Sequence, residues 1–304
     1  MPNSTPSRWP HRHLLDTDQL TRTEAELCLD RAEALAGTRG VELADRVIGL
    51  AFAEPSTRTR VSFEVAATAR GALVVDLPFE ASSATKGESL ADTLRTLERT
   101  GVDTIVLRHR AAGAPYLAAR SVDARILNAG DGAHAHPTQA MLDALTLRQA
   151  LGGLNGKTVV IVGNVSHSRV ARSNLHLLPV LGMSVRLSGP PAWIAPFAGW
   201  PSVEVVDDLD EALTDADAVM TLRVQFERQA GSGVPSAREY HRRWGLTSAR
   251  MTRARPDAPV LHPGPTNEGV EITAELAASA RSLIGTQVAN GVAVRMAVMT
   301  LLAD

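Results

Sequence analysis

The sequence predicts an α/β protein of two domains, each a mainly parallel sheet flanked by helices. Three observations carry that expectation. Short β-branched runs alternate with longer helical patterns, as parallel strands joined by crossover helices do. The alternation stops at Gly152-Gly153-Leu154-Asn155-Gly156 and then starts again. The length of 304 residues suffices for two domains of ordinary size.

The elements follow in order. Thr21 and Glu24 form a capping box that opens a first helix, which runs through Ala25 to Leu35 and ends near Gly37. Strands are expected at Val47–Phe52, Leu73–Leu77, Thr104–Arg108 and Arg125–Asn128. Helices are expected at Arg60–Arg70, Leu90–Thr100, Ala114–Arg120 and Thr138–Leu151. The glycine pair then places a boundary between residues 1–150 and 151–285. Beyond it, strands are expected at Thr158–Val162, Ser184–Leu187, Val203–Val206, Ala218–Leu222 and Val260–His262, with helices at Arg169–Leu181 and Asp210–Thr214. Ala289 to Leu302 reads as a closing helix, and Ala230–Pro235 as a mobile loop.

Composition narrows the function. A net charge of −2 carries no footprint of nucleic acid or of a membrane surface. The single cysteine, Cys28, excludes a disulfide framework and a cysteine-rich zinc site. No apolar run approaches the roughly 20 residues that span a bilayer. The N-terminus is polar and lacks the apolar stretch of a signal peptide. The expectation is a soluble, cytoplasmic protein with a loose N-terminal tail.

The most informative run is Glu54 to Glu64, EPSTRTRVSFE. It lies where a buried strand gives way to a helix, so Ser56, Thr57, Arg58 and Thr59 gather hydroxyls, a guanidinium and free backbone N–H groups. That combination suits a phosphate. Further polar groups fall at the carboxyl ends of other expected strands, the edge where open α/β sheets bind ligands. These are Arg108, His136-Pro137-Thr138-Gln139, His167-Ser168-Arg169, Arg223-Val224-Gln225 and His262-Pro263-Gly264-Pro265. Each has a plainer reading. Ser56 and Thr59 also suit helix capping, and a strand-end arginine is commonly just solvated. His134 and His136 lack a third metal ligand nearby. Gly163 opens no GxGxxG, which argues against a dinucleotide. Lys86, beside Gly87, is either a plain loop lysine or part of a mobile turn that swings over a site.

Taken together, FAEPSTRTRVSFE, SSATKGESLADTL, VLRHR, NAGDGAHAHPTQAMLDAL, GNVSHSRVARSN, LRVQFER and HPGPTNEGVEI resemble the aspartate/ornithine transcarbamylase family over nearly the whole chain. The resemblance implies the transcarbamylase fold, with residues 1–150 binding carbamoyl phosphate, residues 151–285 binding aspartate and a helix at 286–304 packing back on the first domain. It implies transfer of a carbamoyl group from carbamoyl phosphate to L-aspartate, without cofactor or metal, in pyrimidine synthesis. It implies that Ser56, Thr57, Arg58, Thr59 and Arg108 hold the phosphate. His136 and Gln139 would hold the carbamoyl group, with Arg108 and Thr59 at its oxygen and the carbonyls of Pro263 and Gly264 at its NH₂. Arg169, Arg223 and Gln225 would grip the aspartate carboxylates. Ser82 and Lys86 would reach in from a neighbouring subunit, making a homotrimer with shared sites. Glu54 and Arg228, with Arg169, would form ion pairs of a closed state. Regulatory or dihydroorotase-like partner chains are compatible with the resemblance.

Elementary chemistry agrees. Carbamoyl phosphate is a dianion and aspartate carries two carboxylates, so bringing them together requires fixed cations: Arg58, Lys86, Arg108, Arg169 and Arg223. The departing phosphate accepts the proton, so no protein base is needed, and the rate would come from positioning and electrostatics. Ornithine-using relatives are expected to lack LRVQ and to carry HCLP in place of His262-Pro263-Gly264-Pro265. Three positions depart from the family pattern: Asn164 for an aspartate, Glu268 for an arginine and Arg110 for a proline. These motivate an alternative, a paralogous transcarbamylase with a different amino acceptor. A ligand-binding paralogue without activity and a nicotinamide dehydrogenase are the more distant readings.

Overall fold

The computed structural model describes residues 9–78, 89–224 and 236–304. Ser82, Lys86, Gln225, Arg228 and the expected loop Ala230–Pro235 lie outside the described residues. The chain divides into two compact units, Met1–Leu142 with Ala289–Asp304, and Asp143–Val288.

The first unit holds a parallel sheet in the order β2-β1-β3-β4, with β1 at Val47–Phe52, β2 at Leu73–Pro78, β3 at Thr104–His109 and β4 at Arg125–Asp131. Helices α1 (Arg22–Leu35), α2 (Thr57–Ala69), α3 (Leu90–Arg99) and α4 (Ala114–Ser121) connect and cover it. β1 and β3 are buried almost throughout, as parallel strands covered on both faces must be. Ala51, Leu94, Leu97, Ile105, Leu107, Ala118 and Ile126 form one contiguous apolar cluster between β1, β3, β4 and the helices α3 and α4. Helix α5 (Pro137–Leu151) follows β4.

The second unit holds a parallel sheet in the order β7-β6-β5-β8-β9. Its strands are β5 (Thr158–Val162), β6 (Ser184–Ser188), β7 (Val203–Val205), β8 (Ala218–Thr221) and β9 (Val260–Leu261). Its helices are α6 (Arg169–Val180), α7 (Pro191–Ile194), α8 (Leu209–Leu213), α9 (Ala237–Trp244) and α10 (Ala274–Ala277), before the closing helix α11 (Ile284–Ala303). Val160, Val162, Trp193, Leu213, Val219, Tyr240, Trp244 and Val260 belong to its core.

In both sheets the strand order reverses beside the first strand of the unit: between β1 and β3, and between β5 and β8. Loops leaving the two flanking strands diverge at such a point and open a crevice at their carboxyl ends. This places the segments after β1 and β3 together in one unit, and those after β5 and β8 together in the other.

Several boundaries differ from the sequence expectation. Helix α2 begins at Thr57, not Arg60, so Thr57, Arg58 and Thr59 form its first turn. Strand β8 ends at Thr221, leaving Arg223 beyond it. The compact units divide between Leu142 and Asp143, inside α5. Asp143 already bonds Asn174 and Gln287 of the second unit. Helix α11 starts earlier than expected and is 20 residues long, and by length and composition it is apolar enough to cross a bilayer, contrary to the expectation that no run approaches that length. Its most apolar stretch is 72% buried within the protein, the pattern of a core helix. Helix α9 was not expected at all.

Candidate active site

In the first unit the site is built on the pairing of β1 with β3. Phe52 and Arg108 are register partners, and the N–H of Ala53 donates to the carbonyl of Arg108 at 2.9 Å. The chain then passes Glu54 and Pro55 and enters α2 with Ser56 as N-cap. Ser56 has extended backbone, yet its hydroxyl makes no cap hydrogen bond. The plain capping role is therefore not what Ser56 does. The helical ladder starts where Arg60 N–H donates to the Ser56 carbonyl at 3.1 Å, so the N–H groups before it have no acceptor within the helix. No acidic residue lies in the first turn to offset the positive end of the helix. Thr57 and Arg58 are exposed, whereas Thr59 is buried.

Arg108 is nearly buried, with only 9% of its surface exposed. Its Nη1 donates to the carbonyl of Ala129 at 3.2 Å, and its Nη2 stands 3.6 Å from Glu54 Oε1. The β3–β4 register shifts between Leu107 and His109, where Ala129 and Gly130 of β4 stand opposite Arg108 alone. Glu54 is thus a counter-charge for Arg108. Its expected partner Arg228 lies outside the described residues.

His136 and Gln139 sit at the N-terminal end of α5, both buried. The His136 carbonyl accepts from the N–H groups of Gln139 at 3.0 Å and Ala140 at 3.3 Å, and Pro137 occupies the first helical position, where a missing N–H costs nothing. The turn that delivers His136 is organised by Asp131, which is fully buried. Its carboxylate accepts from Gly113 N–H at 2.7 Å, Asn128 Nδ2 at 2.8 Å and Ala135 N–H at 3.1 Å. His134 turns to the same carboxylate, at 3.1 Å, and to Asp16, at 3.6 Å. Among the described residues no group of three or more His, Cys, Asp or Glu is arranged to hold a metal ion.

In the second unit β5 ends at Val162, and Gly163 adopts a φ of 124°. A Cβ there would meet the Tyr240 hydroxyl at 3.0 Å and Leu222 Cβ at 3.3 Å. Asn164 follows, buried, and its Oδ1 accepts from the His167 N–H at 3.3 Å and meets the ring Nδ1 at 2.9 Å. The neutral amide thus still closes the turn, and since a carbonyl oxygen only accepts, Nδ1 carries the proton. Ser168 caps α6 by accepting from Ala171 N–H at 3.2 Å, so Arg169 is the first helical residue. Arg223 lies between Leu222 and Val224, both buried, which fix the backbone on either side of it. Arg110 and Glu268, the other departures from the family pattern, are exposed.

Pro263 and Gly264 follow β9. Gly264 has a φ of 64°, and its N–H donates to His262 Nδ1 at 2.8 Å. The opposite ring nitrogen of His262 lies 3.2 Å from Glu271 Oε1, with both side chains fully enclosed. Burial, with the charge of Glu271 adding to it, drives the Tyr240 hydroxyl far above its ordinary value, so Tyr240 stays protonated. Sequence reasoning passed over Asp131, Asn267 and Glu271. For Asp131 a signal existed: it stands between Gly130 and Gly132, both with positive φ, in a tight turn that a lone carboxylate can organise. Glu271 had none, since its partners are set by the fold.

Both halves of the chain match a known family. Residues 12–149 match the carbamoyl-P binding domain of aspartate/ornithine carbamoyltransferase, and residues 155–302 match the Asp/Orn binding domain. An aspartate carbamoyltransferase catalytic subunit from Myxococcus xanthus is 52% identical, over 95% of this chain and 98% of that protein. The structure of aspartate transcarbamoylase from Trypanosoma cruzi with N-(phosphonacetyl)-L-aspartic acid superposes with a TM-score of 0.83 at 31% identity, covering 95% of this chain and 94% of that one. Ornithine carbamoyltransferase from Pyrococcus furiosus superposes with a TM-score of 0.87 at 27% identity, covering 95% and 96%. Backbone shape thus does not separate the two acceptor classes, whereas sequence identity favours one of them. The chain belongs to the aspartate/ornithine carbamoyltransferase family.

Proposed function

We propose that this chain is an aspartate carbamoyltransferase, transferring the carbamoyl group of carbamoyl phosphate to the amine of L-aspartate to give N-carbamoyl-L-aspartate and phosphate. The observation that carries this reading is that Ser56, Thr57, Arg58 and Thr59 share the start of α2, with Arg108 on the strand paired with β1, in a chain 52% identical to a protein named for that activity.

The roles follow from the chemistry. The first turn of α2 offers N–H groups, hydroxyls and the Arg58 guanidinium to the phosphate. As the amine attacks, charge grows on the carbamoyl oxygen, and Thr59, Arg108 and His136 are the donors that would stabilise it; each such donor is typically worth about 2.7–4 kcal/mol. Gln139 and the carbonyls of Pro263 and Gly264 would orient the carbamoyl NH₂. Arg169 and Arg223, with Gln225, would bind the acceptor's carboxylates, and their always-charged planar forks suit that task. The phosphate leaving group takes the amine proton, so the reaction uses no cofactor. Ser82 and Lys86 would complete the site of a neighbouring subunit, which makes a homotrimer the working unit. Placement in the cytoplasm and in pyrimidine synthesis is part of the same proposal.

An assay of carbamoyl phosphate with L-aspartate, run beside a panel of other amino acids, tests this function. The expected result is N-carbamoyl-L-aspartate as the preferred product. Turnover of another amine with none of aspartate would instead identify a paralogous transferase.

A further inference from the structure

One buried hydrogen-bonded chain runs through the second unit. Asn174 on α6 donates to Asp143 at 2.9 Å. Gln287 Nε2 donates to the other oxygen of Asp143 at 2.7 Å, and Gln287 Oε1 accepts the backbone N–H of His262 at 3.0 Å. The His262 ring then links Gly264 to Glu271. Glu271 Oε1 also accepts the N–H of Asn267, and Asn267 Nδ2 donates to the carbonyl of Val224 at 3.0 Å. The path therefore connects the helix that begins with Arg169, the turn of Pro263 and Gly264, and the residue after Arg223. Asn174, Asp143, Gln287, His262 and Glu271 are all buried.

The protons along this path are determined. Gly264 N–H is a donor, so His262 Nδ1 must accept and the ring proton sits on Nε2, facing Glu271. The Nδ1–H tautomer would set two donors against each other. One oxygen of Glu271 thus grips both ends of the segment from Pro263 to Asn267: the near end through the His262 ring, the far end through the Asn267 N–H. The amide of Asn267 then carries that position to the strand exit at Val224.

We propose that Glu271 is a positioning residue for carbamoyl transfer, which acts through His262 on the Pro263-Gly264 turn and through Asn267 on the segment bearing Arg223. The inference rests on the proposed carbamoyltransferase reading, and Glu271 itself bonds His262, Asn267 and Thr221, none of them assigned there to substrate. Glutamine at position 271 keeps an oxygen able to accept from both His262 and Asn267, whereas alanine removes it. An aspartate at position 267 keeps the backbone N–H but sets an acceptor against the Val224 carbonyl.

The test is steady-state kinetics with carbamoyl phosphate and L-aspartate on Glu271→Ala, Glu271→Gln and Asn267→Asp, beside imidazole nitrogen NMR of His262. Glu271→Ala is expected to lower kcat roughly 30-fold or more, and Glu271→Gln to stay within about threefold of the unaltered protein. Asn267→Asp is expected to raise KM for L-aspartate about tenfold while leaving KM for carbamoyl phosphate within about twofold. The NMR spectrum is expected to show the Nε2-protonated tautomer, and to lose it in Glu271→Ala. A Glu271→Ala protein within threefold of the unaltered kcat overturns the proposal, as does a Glu271→Gln protein as impaired as the alanine variant. Should Glu271→Ala fail to fold, an unchanged aspartate KM in Asn267→Asp overturns it instead. If the unaltered protein turns over no aspartate, the functional reading fails, while the tautomer measurement still decides whether Glu271 holds His262.

Discussion

Arg108 Nη2 faces Glu54 Oε1 across 3.6 Å, while its Nη1 is held at 3.2 Å by the carbonyl of Ala129. The guanidinium is thus fixed from two sides before any substrate arrives. A carboxylate beside an anion site weakens its positive potential but lowers the freedom of the arginine that must serve it. Preorganisation of this kind is where transition-state stabilisation comes from.

Replacing Glu54 by Gln therefore separates orientation from charge. Loss of the counter-charge strengthens attraction for the phosphate dianion, and loss of the fixed partner loosens Arg108. Glu54→Gln is expected to reduce kcat about 5–30-fold, corresponding to roughly 1–2 kcal/mol, without raising KM for carbamoyl phosphate. A raised KM with unchanged kcat would show that Glu54 shapes ground-state binding instead.

The proposed sharing of sites between subunits predicts complementation. Lys86→Ala chains and Arg58→Ala chains, each inactive alone, are expected to regain part of the activity when mixed, because a hybrid assembly contains some sites with neither change. Confirmed hybrid trimers with no recovered activity would place each complete site within one chain.

The start of α1 predicts an acid-dependent loss of stability. Thr21 N–H donates to Glu24 Oε2 at 2.8 Å, Glu24 N–H to the Thr21 hydroxyl at 3.3 Å, and His11 Nε2 lies 3.2 Å from Glu24. Burial pushes the Glu24 carboxyl upward, but the Thr21 N–H, the His11 ring and the Thr21 hydroxyl together bring it below its ordinary value of 4.5. A depressed carboxylate stabilises the fold at pH above its unfolded value and loses that contribution as pH falls through the folded one. Glu24→Ala is expected to cost about 0.5–1 kcal/mol at neutral pH and progressively less below about pH 4. Chemical denaturation of both proteins across that range measures it, and a penalty independent of pH would rule out the carboxylate as its source.

Gly163 predicts a local packing limit. Its φ of 124° is strained for any side chain, and a Cβ would stand 3.0 Å from the Tyr240 hydroxyl and 3.4 Å from the Leu222 carbonyl. Alanine gains about 0.4–1 kcal/mol from a stiffer unfolded chain, against about 1–3 kcal/mol of backbone strain and further crowding. Gly163→Ala is expected to lower the unfolding free energy by roughly 1–3 kcal/mol. An equal or higher stability would show that the β5 exit can relax.

The sequence by itself determined the elements whose signals are local. The capping box of α1, the apolar run of β1 and the polar run after it are legible because propensity, capping and strand length depend on near neighbours in the chain. The proposed anion cradle is local in the same sense: its hydroxyls, N–H groups and arginine follow one another from Ser56 to Thr59. Helix α9 shows the limit of this reading. Its start carries Ser236 accepting from Glu239 N–H at 3.2 Å, a local signal, yet only Tyr240 and Trp244 of its eight residues are buried, too few for an apolar period to stand out. Tertiary structure alone decided what long-range partners decide. It left Ser56 free of a capping bond, turned Glu54 toward Arg108, and set Glu271 between His262 and Asn267. A buried polar group takes its meaning from the donors and acceptors that surround it, and those are brought together only when the strands take their places in the sheet.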